Sequence, residues 1–163
     1  MKKLSSINWV SFKEDNFYLE DIPINVGLNI EEWLKEYCDI SVEFENYSQS
    51  YPESERIKFN DFPSISIYLE DKIITSIYVY PYQYQSSPYY KGDIFIFNKK
   101  LEVPFLSDDI EQYFLDIPIK PKGYFKRFSP RETIDYIISD VLKIEISIGR
   151  DPELVSSLSF KSR

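Results

Sequence analysis

The stretch from Phe17 to Val26 constrains the fold most, because two short apolar runs flank Glu20 and Asp21, the mark of a tight β-hairpin. Asn29 follows as a helix N-cap, and Glu32 stands three residues on, at capping-box spacing. Ile30, Trp33, Leu34 and Tyr37 then recur at i, i+3, i+4 and i+7, which predicts a helix with one apolar face ending near Cys38. A similar succession comes later. Asp93 to Phe97 reads as a strand, Asn98-Lys99 as a turn and Leu101 to Phe105 as a second strand. Asp109 precedes Gln112 at the same capping spacing, and Ile110, Tyr113 and Phe114 repeat the apolar face. Leu101 and Val103 match Ile22 and Ile24; Asp109 and Gln112 match Asn29 and Glu32. The expectation is a duplicated β-hairpin–helix unit over residues 17–38 and 95–117.

Between the copies the pattern has period two. Ile40, Val42 and Phe44 alternate, and residues 45–56, rich in Ser, Tyr, Glu and Pro, read as a loop. Ile65, Ile67 and Leu69 share a face, Asp71-Lys72 suggests a turn, and residues 73–84 form a long strand candidate. Ile73, Thr75, Ile77 and Val79 would occupy one side of it, and Tyr78, Tyr80, Tyr82 and Tyr84 the other, with Pro81 marking an edge or bend. In the last third, Ser129, Pro130 and Glu132 have the chemistry of a helix start. Ile134, Ile137, Ile138, Val141 and Leu142 supply a helical apolar face. Ile144, Ile146 and Ile148 then alternate as a strand, residues 149–152 turn, and Leu154 to Phe160 form a final edge strand or short helix. The whole reads as one α+β domain over residues 1–163, a largely antiparallel sheet with about three helices on one face.

Several chemistries are excluded by what the chain lacks. It has no histidine, one cysteine and four glycines in 163 residues. This removes imidazole general bases, Ser-His-Asp and Cys-His nucleophile systems, and zinc sites built on imidazole or on four thiolates. A glycine-rich phosphate loop and a calcium loop are also missing. Paired carboxylates remain: Glu43 with Glu45, and Asp108, Asp109 and Glu111 at a helix start. A carboxylate hydrolase would use such groups, but acids at a helix N-terminus already serve its orphan amides and dipole. No cofactor is expected, and a lone Cys38 after an apolar helix face reads as a small packed residue. The net charge of −8 speaks against a nucleic-acid surface or docking on anionic lipid, and favours a basic partner. With no signal-peptide run and no long apolar stretch, the expected compartment is the cytoplasm.

The most distinctive feature is the tyrosine content, 14 residues. Tyr78, Tyr80, Tyr82 and Tyr84, with Tyr89 and Tyr90 beyond, would line one sheet face. Tyr47 and Tyr51 stand in an acidic loop with Glu45, Glu53 and Glu55. Tyrosine gives rigid contact area with a hydrogen-bonding tip, and acids around aromatic anchors speed capture of a basic partner. These eleven residues are the expected partner-binding set. A small-ligand or carbohydrate-binding module using the tyrosines as stacking platforms is the alternative.

The order strand, turn, strand, capped helix, then Lys91-Gly92-Asp93-Ile94-Phe95-Ile96-Phe97-Asn98 with a second strand and helix, resembles a group of bacterial immunity proteins. These are encoded beside toxins of type VI secretion and polymorphic-toxin systems, and the resemblance runs from Phe17 to Pro118. It implies an antitoxin-like inhibitor, not an enzyme, that binds one cognate toxin inside the producing cell and blocks it stoichiometrically. A basic toxin, such as a nuclease, would suit the charge. Oligomeric state is left open.

Overall fold

The computed structural model describes residues 2–13, 15–81, 89–102, 112–114, 116, 121–127, 133–149 and 155–162. Among these, strand outweighs helix by 54% to 9%, which overturns the α+β expectation. The strands are β1 (Trp9–Phe12), β2 (Phe17–Leu19), β3 (Ile22–Ile24), β4 (Val42–Asn46), β5 (Ser54–Phe59), β6 (Phe62–Glu70) and β7 (Ile73–Val79). They continue with β8 (Asp93–Ile96), β9 (Lys99–Lys100), β10 (Gly123–Arg127), β11 (Thr133–Ile137), β12 (Leu142–Ile148) and β13 (Val155–Ser162). Helix α1 covers Ile30–Tyr37, and residues 112–114 and 116 are also helical.

Two sheets share these strands. The larger has the order β10-β11-β12-β13-β7-β6-β5-β4 and is antiparallel throughout. It consists of two four-strand meanders joined where β13 pairs with β7. The smaller has the order β3-β2-β1-β8-β9, antiparallel except that β1 and β8 run parallel. Both sheets and α1 feed one continuous apolar core. A row of cross-strand partners on the core face of the larger sheet reads Ile57, Ile67, Ile77, Phe160, Ile144 and Tyr136, all buried. Val10, Phe12, Phe17 and Leu19 answer it from the smaller sheet, and Ile30 and Trp33 from α1.

The first hairpin–helix unit forms as its sequence dictates. Glu20 takes a positive φ of 54° at the turn. Asn29 accepts hydrogen bonds from the amides of Glu31 and Glu32, and the helix closes at Cys38. The Trp33 indole donates to the Pro23 carbonyl at 2.9 Å, which ties helix to hairpin. The second copy is only partly matched. The β8–β9 hairpin turns at Phe97-Asn98, one residue earlier than expected, with φ of 49° and 68°. Asp108, Asp109, Ile110 and Glu111 lie outside the described residues. Tyr113 and Phe114 are buried, and Phe114 stacks on Tyr136 at 4.8 Å. The duplication does not organise the fold, because the eight-stranded sheet, which holds most of the strand residues, belongs to neither copy.

The tail departs furthest. The helix expected after Ser129 is instead the hairpin of β11 and β12. Thr133, Ile134, Asp135, Tyr136 and Ile137 are all buried, so β11 is packed on both faces and its apolar residues fall at helix-like spacings. The β-branched Thr and Ile favour that strand. Ser139 serves the turn: its Oγ accepts from the amides of Val141 and Leu142. Val141, assigned to the helix face, is 67% exposed. The last strand, β13, is no edge; it sits between β12 and β7. In β7, the register shift opposite Tyr68 and Leu69 skips Thr75, whose hydroxyl donates to the Tyr68 carbonyl at 3.1 Å. That bulge flips the alternation. Ile74, not Ile73 or Thr75, therefore joins Ile77 and Val79 in the core. No helix among the described residues is long and apolar enough to cross a membrane.

Candidate functional site

The face of the eight-stranded sheet opposite the core is polar from β4 to β12 and gives way to Ile137 and Phe125 at the β11–β10 end, and its residues follow directly from the register. One row of cross-strand partners reads Glu45, Arg56, Tyr68, Ser76, Lys161 and Lys143. The next reads Glu43, Lys58, Ser66, Tyr78, Ser159, Glu145 and Asp135. On this face Tyr78 and Tyr80 follow one another along and just past β7, and Tyr47 and Tyr68 extend the row across the neighbouring strands. Tyr47, just past β4, meets Tyr68 edge-on with ring centroids 5.1 Å apart. Tyr68 meets Tyr78 at 5.1 Å, and Tyr78 stacks near-parallel with Tyr80 at 6.1 Å. These offset and edge-on arrangements are the favourable ones for aromatic rings. They border a pocket of about 370 Å³ lined by Tyr47, Tyr68, Thr75, Ser76, Tyr78, Tyr80 and Ser157.

Charges flank the row on both sides, each held by an internal partner. Towards β4, Arg56 forms a charge-assisted hydrogen bond with Glu45, and Lys58 lies 3.7 Å from the same carboxylate. The hydrogen bond from Arg56 holds the Glu45 carboxyl below its usual range. Towards β11, the Lys161 ammonium donates to the Tyr78 hydroxyl at 2.9 Å and to Glu145 at 3.3 Å. Lys143 bridges Glu145 at 3.3 Å and Asp135 at 3.1 Å. Burial pushes the Glu145 carboxyl up, but Lys161 and Lys143 outweigh it and leave the group below its ordinary value. Burial likewise disfavours the Lys161 charge, and its bonds to Tyr78 and Glu145 more than restore it. The Tyr80 hydroxyl is pushed up first by burial and then by hydrogen bonding to Tyr68.

The expected binding residues divide into groups. Tyr47, Tyr78 and Tyr80 come together in the cross-strand row. Tyr82 and Tyr84 lie outside the described residues. Tyr51 is exposed at 61% in the turn after β4. Of the acidic residues, Glu45 is paired with Arg56, and Glu55 with Lys72 at 2.6 Å. Glu53 is half-buried, and its carbonyl accepts from the Asp71 amide. Tyr89 and Tyr90 belong to a different place, a pocket of about 570 Å³ beside Asn8 and the β5–β6 turn. Tyr90 is 3% exposed, so it anchors the core there and presents no face to a partner.

No local motif marks Tyr68, Lys161, Glu145 or Arg56 in the sequence. Their signal was present as the polar half of each alternation: Lys143, Glu145 and Ser147 between the isoleucines of β12, and Ser157, Ser159 and Lys161 around Leu158 and Phe160. Among the described residues no group of three or more potential metal ligands is assembled. The Cys38 thiol is pushed up by burial and directs its Sγ to the Ile40 carbonyl, an environment that suppresses the nucleophilic thiolate. Compared with protein-family models, curated proteins and solved structures, the chain finds no match.

Proposed function

We propose that this chain is an immunity-type binding protein that neutralises a cognate toxin by stoichiometric contact, gripping it with the β4 corner of the large sheet. The observation that carries the reading is the exposure of three large aromatics within eight residues: Phe44 at 39%, Tyr47 at 49% and Tyr51 at 61%. Phe44 is on the core side of β4, because it pairs with Ile57, and Tyr47 is on the polar side against Tyr68. A partner holding this edge meets an aromatic anchor on each face. Strand β4 ends its sheet, so its outer backbone groups offer strand addition to the same partner. Aromatic anchors carry much of the energy of protein interfaces. The net charge of −8 favours a basic partner through long-range attraction, whereas Glu45 and Glu55 are neutralised locally. The resemblance of residues Phe17 to Pro118 to immunity proteins points the same way.

Co-expression with the product of the adjacent reading frame tests this. A one-to-one complex and protection from toxicity are expected, with Tyr47→Ala plus Tyr51→Ala weakening the complex by about 2 kcal/mol or more. Absence of a complex, or full protection by the double variant, counts against the proposal.

A further inference from the structure

The pocket at the tyrosine row has a lining that selects a ligand class on its own, apart from toxin docking. Among the described residues, all seven side chains that line it carry a hydroxyl: Tyr47, Tyr68, Thr75, Ser76, Tyr78, Tyr80 and Ser157. Some hydroxyls are committed. Thr75 donates to the Tyr68 carbonyl, and Tyr78 accepts from Lys161. Ser76 and Ser157 stand on the floor, each 8% exposed, and their hydroxyls make no hydrogen bond among the described residues. Neither oxygen is sealed from solvent, since the fully buried unpartnered hydroxyls among the described residues are those of Tyr90 and Thr133; Ser76 and Ser157 instead open onto a hollow large enough for a small molecule, whose polar groups they can bond.

The surroundings decide what that molecule is. Arg56 and Lys161 flank the pocket, and each is neutralised by its own carboxylate, Glu45 or Glu145. A cation would meet two fixed cations, an anion two fixed carboxylates, and among the described residues neither would find an unpaired counter-charge. An apolar ligand would leave the serine hydroxyls unpaired. A neutral molecule with many hydroxyls and one apolar ring face satisfies every wall. It bonds to Ser76 and Ser157 and lays its C–H face on the tyrosine rings. The structure assigns this pocket to a neutral sugar ring, and we propose that the chain binds one there.

Saturation-transfer NMR with glucose, galactose, mannose and N-acetylglucosamine tests the assignment, with glucuronate and glucosamine as charged controls. We expect saturable binding of at least one neutral sugar with a Kd of about 1 mM or tighter, and weaker binding of the charged analogues. Ser157→Ala and Tyr47→Ala should each raise that Kd by about tenfold. Tyr47 is exposed and Ser157→Ala removes one atom, so thermal melts of both variants should match the parent. Tyr51→Ala, outside the pocket, should leave sugar binding unchanged, which separates this site from toxin docking. An oligosaccharide that binds more tightly than its terminal monosaccharide would identify a glycan end as the source, and equal affinity a free sugar. Failure of every neutral sugar to saturate, equal binding of the charged controls, or indifference to both variants would overturn the assignment.

Discussion

Replacing Glu145 with glutamine should cost the fold about 2–3 kcal/mol, and the reason lies in the register. Asp135 stands directly across from Glu145, and Lys143 directly across from Lys161. Like charges in directly opposed positions destabilise a sheet. The side chains avoid this by reaching diagonally, so that Glu145 holds both lysines, each at 3.3 Å. At an effective dielectric of about 20, two unit charges at that distance attract by roughly 5 kcal/mol before desolvation. Exposed pairs retain only about 0.2–1 kcal/mol of this, and loss of one partner from a fully buried pair costs about 3–5 kcal/mol. With side-chain exposures of 14–22%, this cluster sits towards the buried limit. Glutamine keeps the volume but leaves Lys143 facing Lys161 without the shared carboxylate. In urea, a slope of about 2 kcal/mol per molar would lower the midpoint by about 1 M. The sign with pH is fixed. The folded carboxyl lies below its ordinary value of 4.5, so its contribution is complete above that value and disappears as pH falls through the folded pKa. The gap between parent and variant should hold from pH 7 to about 5 and close in stronger acid. A gap below about 0.5 kcal/mol at pH 7, or one that stays constant as pH falls far below the ordinary carboxylate range, refutes the argument.

Four further substitutions probe the frame. Asn29→Ala removes the oxygen that caps α1 at 3.0 and 3.2 Å and should cost about 1 kcal/mol in chemical denaturation. Asp71, with φ of 51° in the β6–β7 turn, holds a left-handed conformation that asparagine tolerates better; Asp71→Asn should raise stability by a few tenths of a kcal/mol, seen as a small rise in Tm. A Cβ at Gly92 would meet the Asn8 carbonyl at 2.5 Å and collide with the Tyr90 hydroxyl. Gly92→Ala should therefore destabilise by about 1–3 kcal/mol in urea, whereas Gly27→Ala meets no neighbour within 4 Å and carries only the strain of its φ of 93°.

Local chemistry was legible from the sequence wherever it acts within a few residues. The Glu20-Asp21 hairpin, the Asn29 cap, the end of α1 at Cys38 and the Asp71-Lys72 turn each depend on near neighbours. The polar face was not legible, because its rows join strands far apart in the chain. Nothing local says that Tyr78 lies beside Ser159, or that Lys161 reaches its hydroxyl. The bulge at Thr75 defeated strict alternation in β7, and burial of β11 on both faces imitated a helix. In each case pairing with a distant strand overrode the nearest-neighbour pattern, as strand preferences generally yield to context.

The same pairing explains why the tyrosines make a hollow and not a filled layer. Tyr78 lies between Ser66 and Ser159 on the strands at either side, and Ser76 lies between Tyr68 and Lys161. Large side chains thus alternate with serines across the sheet. Ser66 and Ser159, which flank Tyr78, are buried on the face away from the core. At Ser76 the neighbouring large groups are drawn elsewhere: Tyr68 towards Tyr47 and Tyr78, and Lys161 towards Glu145. Among the described residues the rings stand around that position, and the space they leave is the pocket. The charged cluster and the hydroxyl-lined hollow are therefore coupled. Glu145 draws the Lys161 ammonium towards β12, and Lys161 in turn fixes the Tyr78 hydroxyl on the pocket wall. Loosening the cluster should blur the pocket before it melts the sheet, since the core face beneath remains a continuous row from Ile57 to Tyr136.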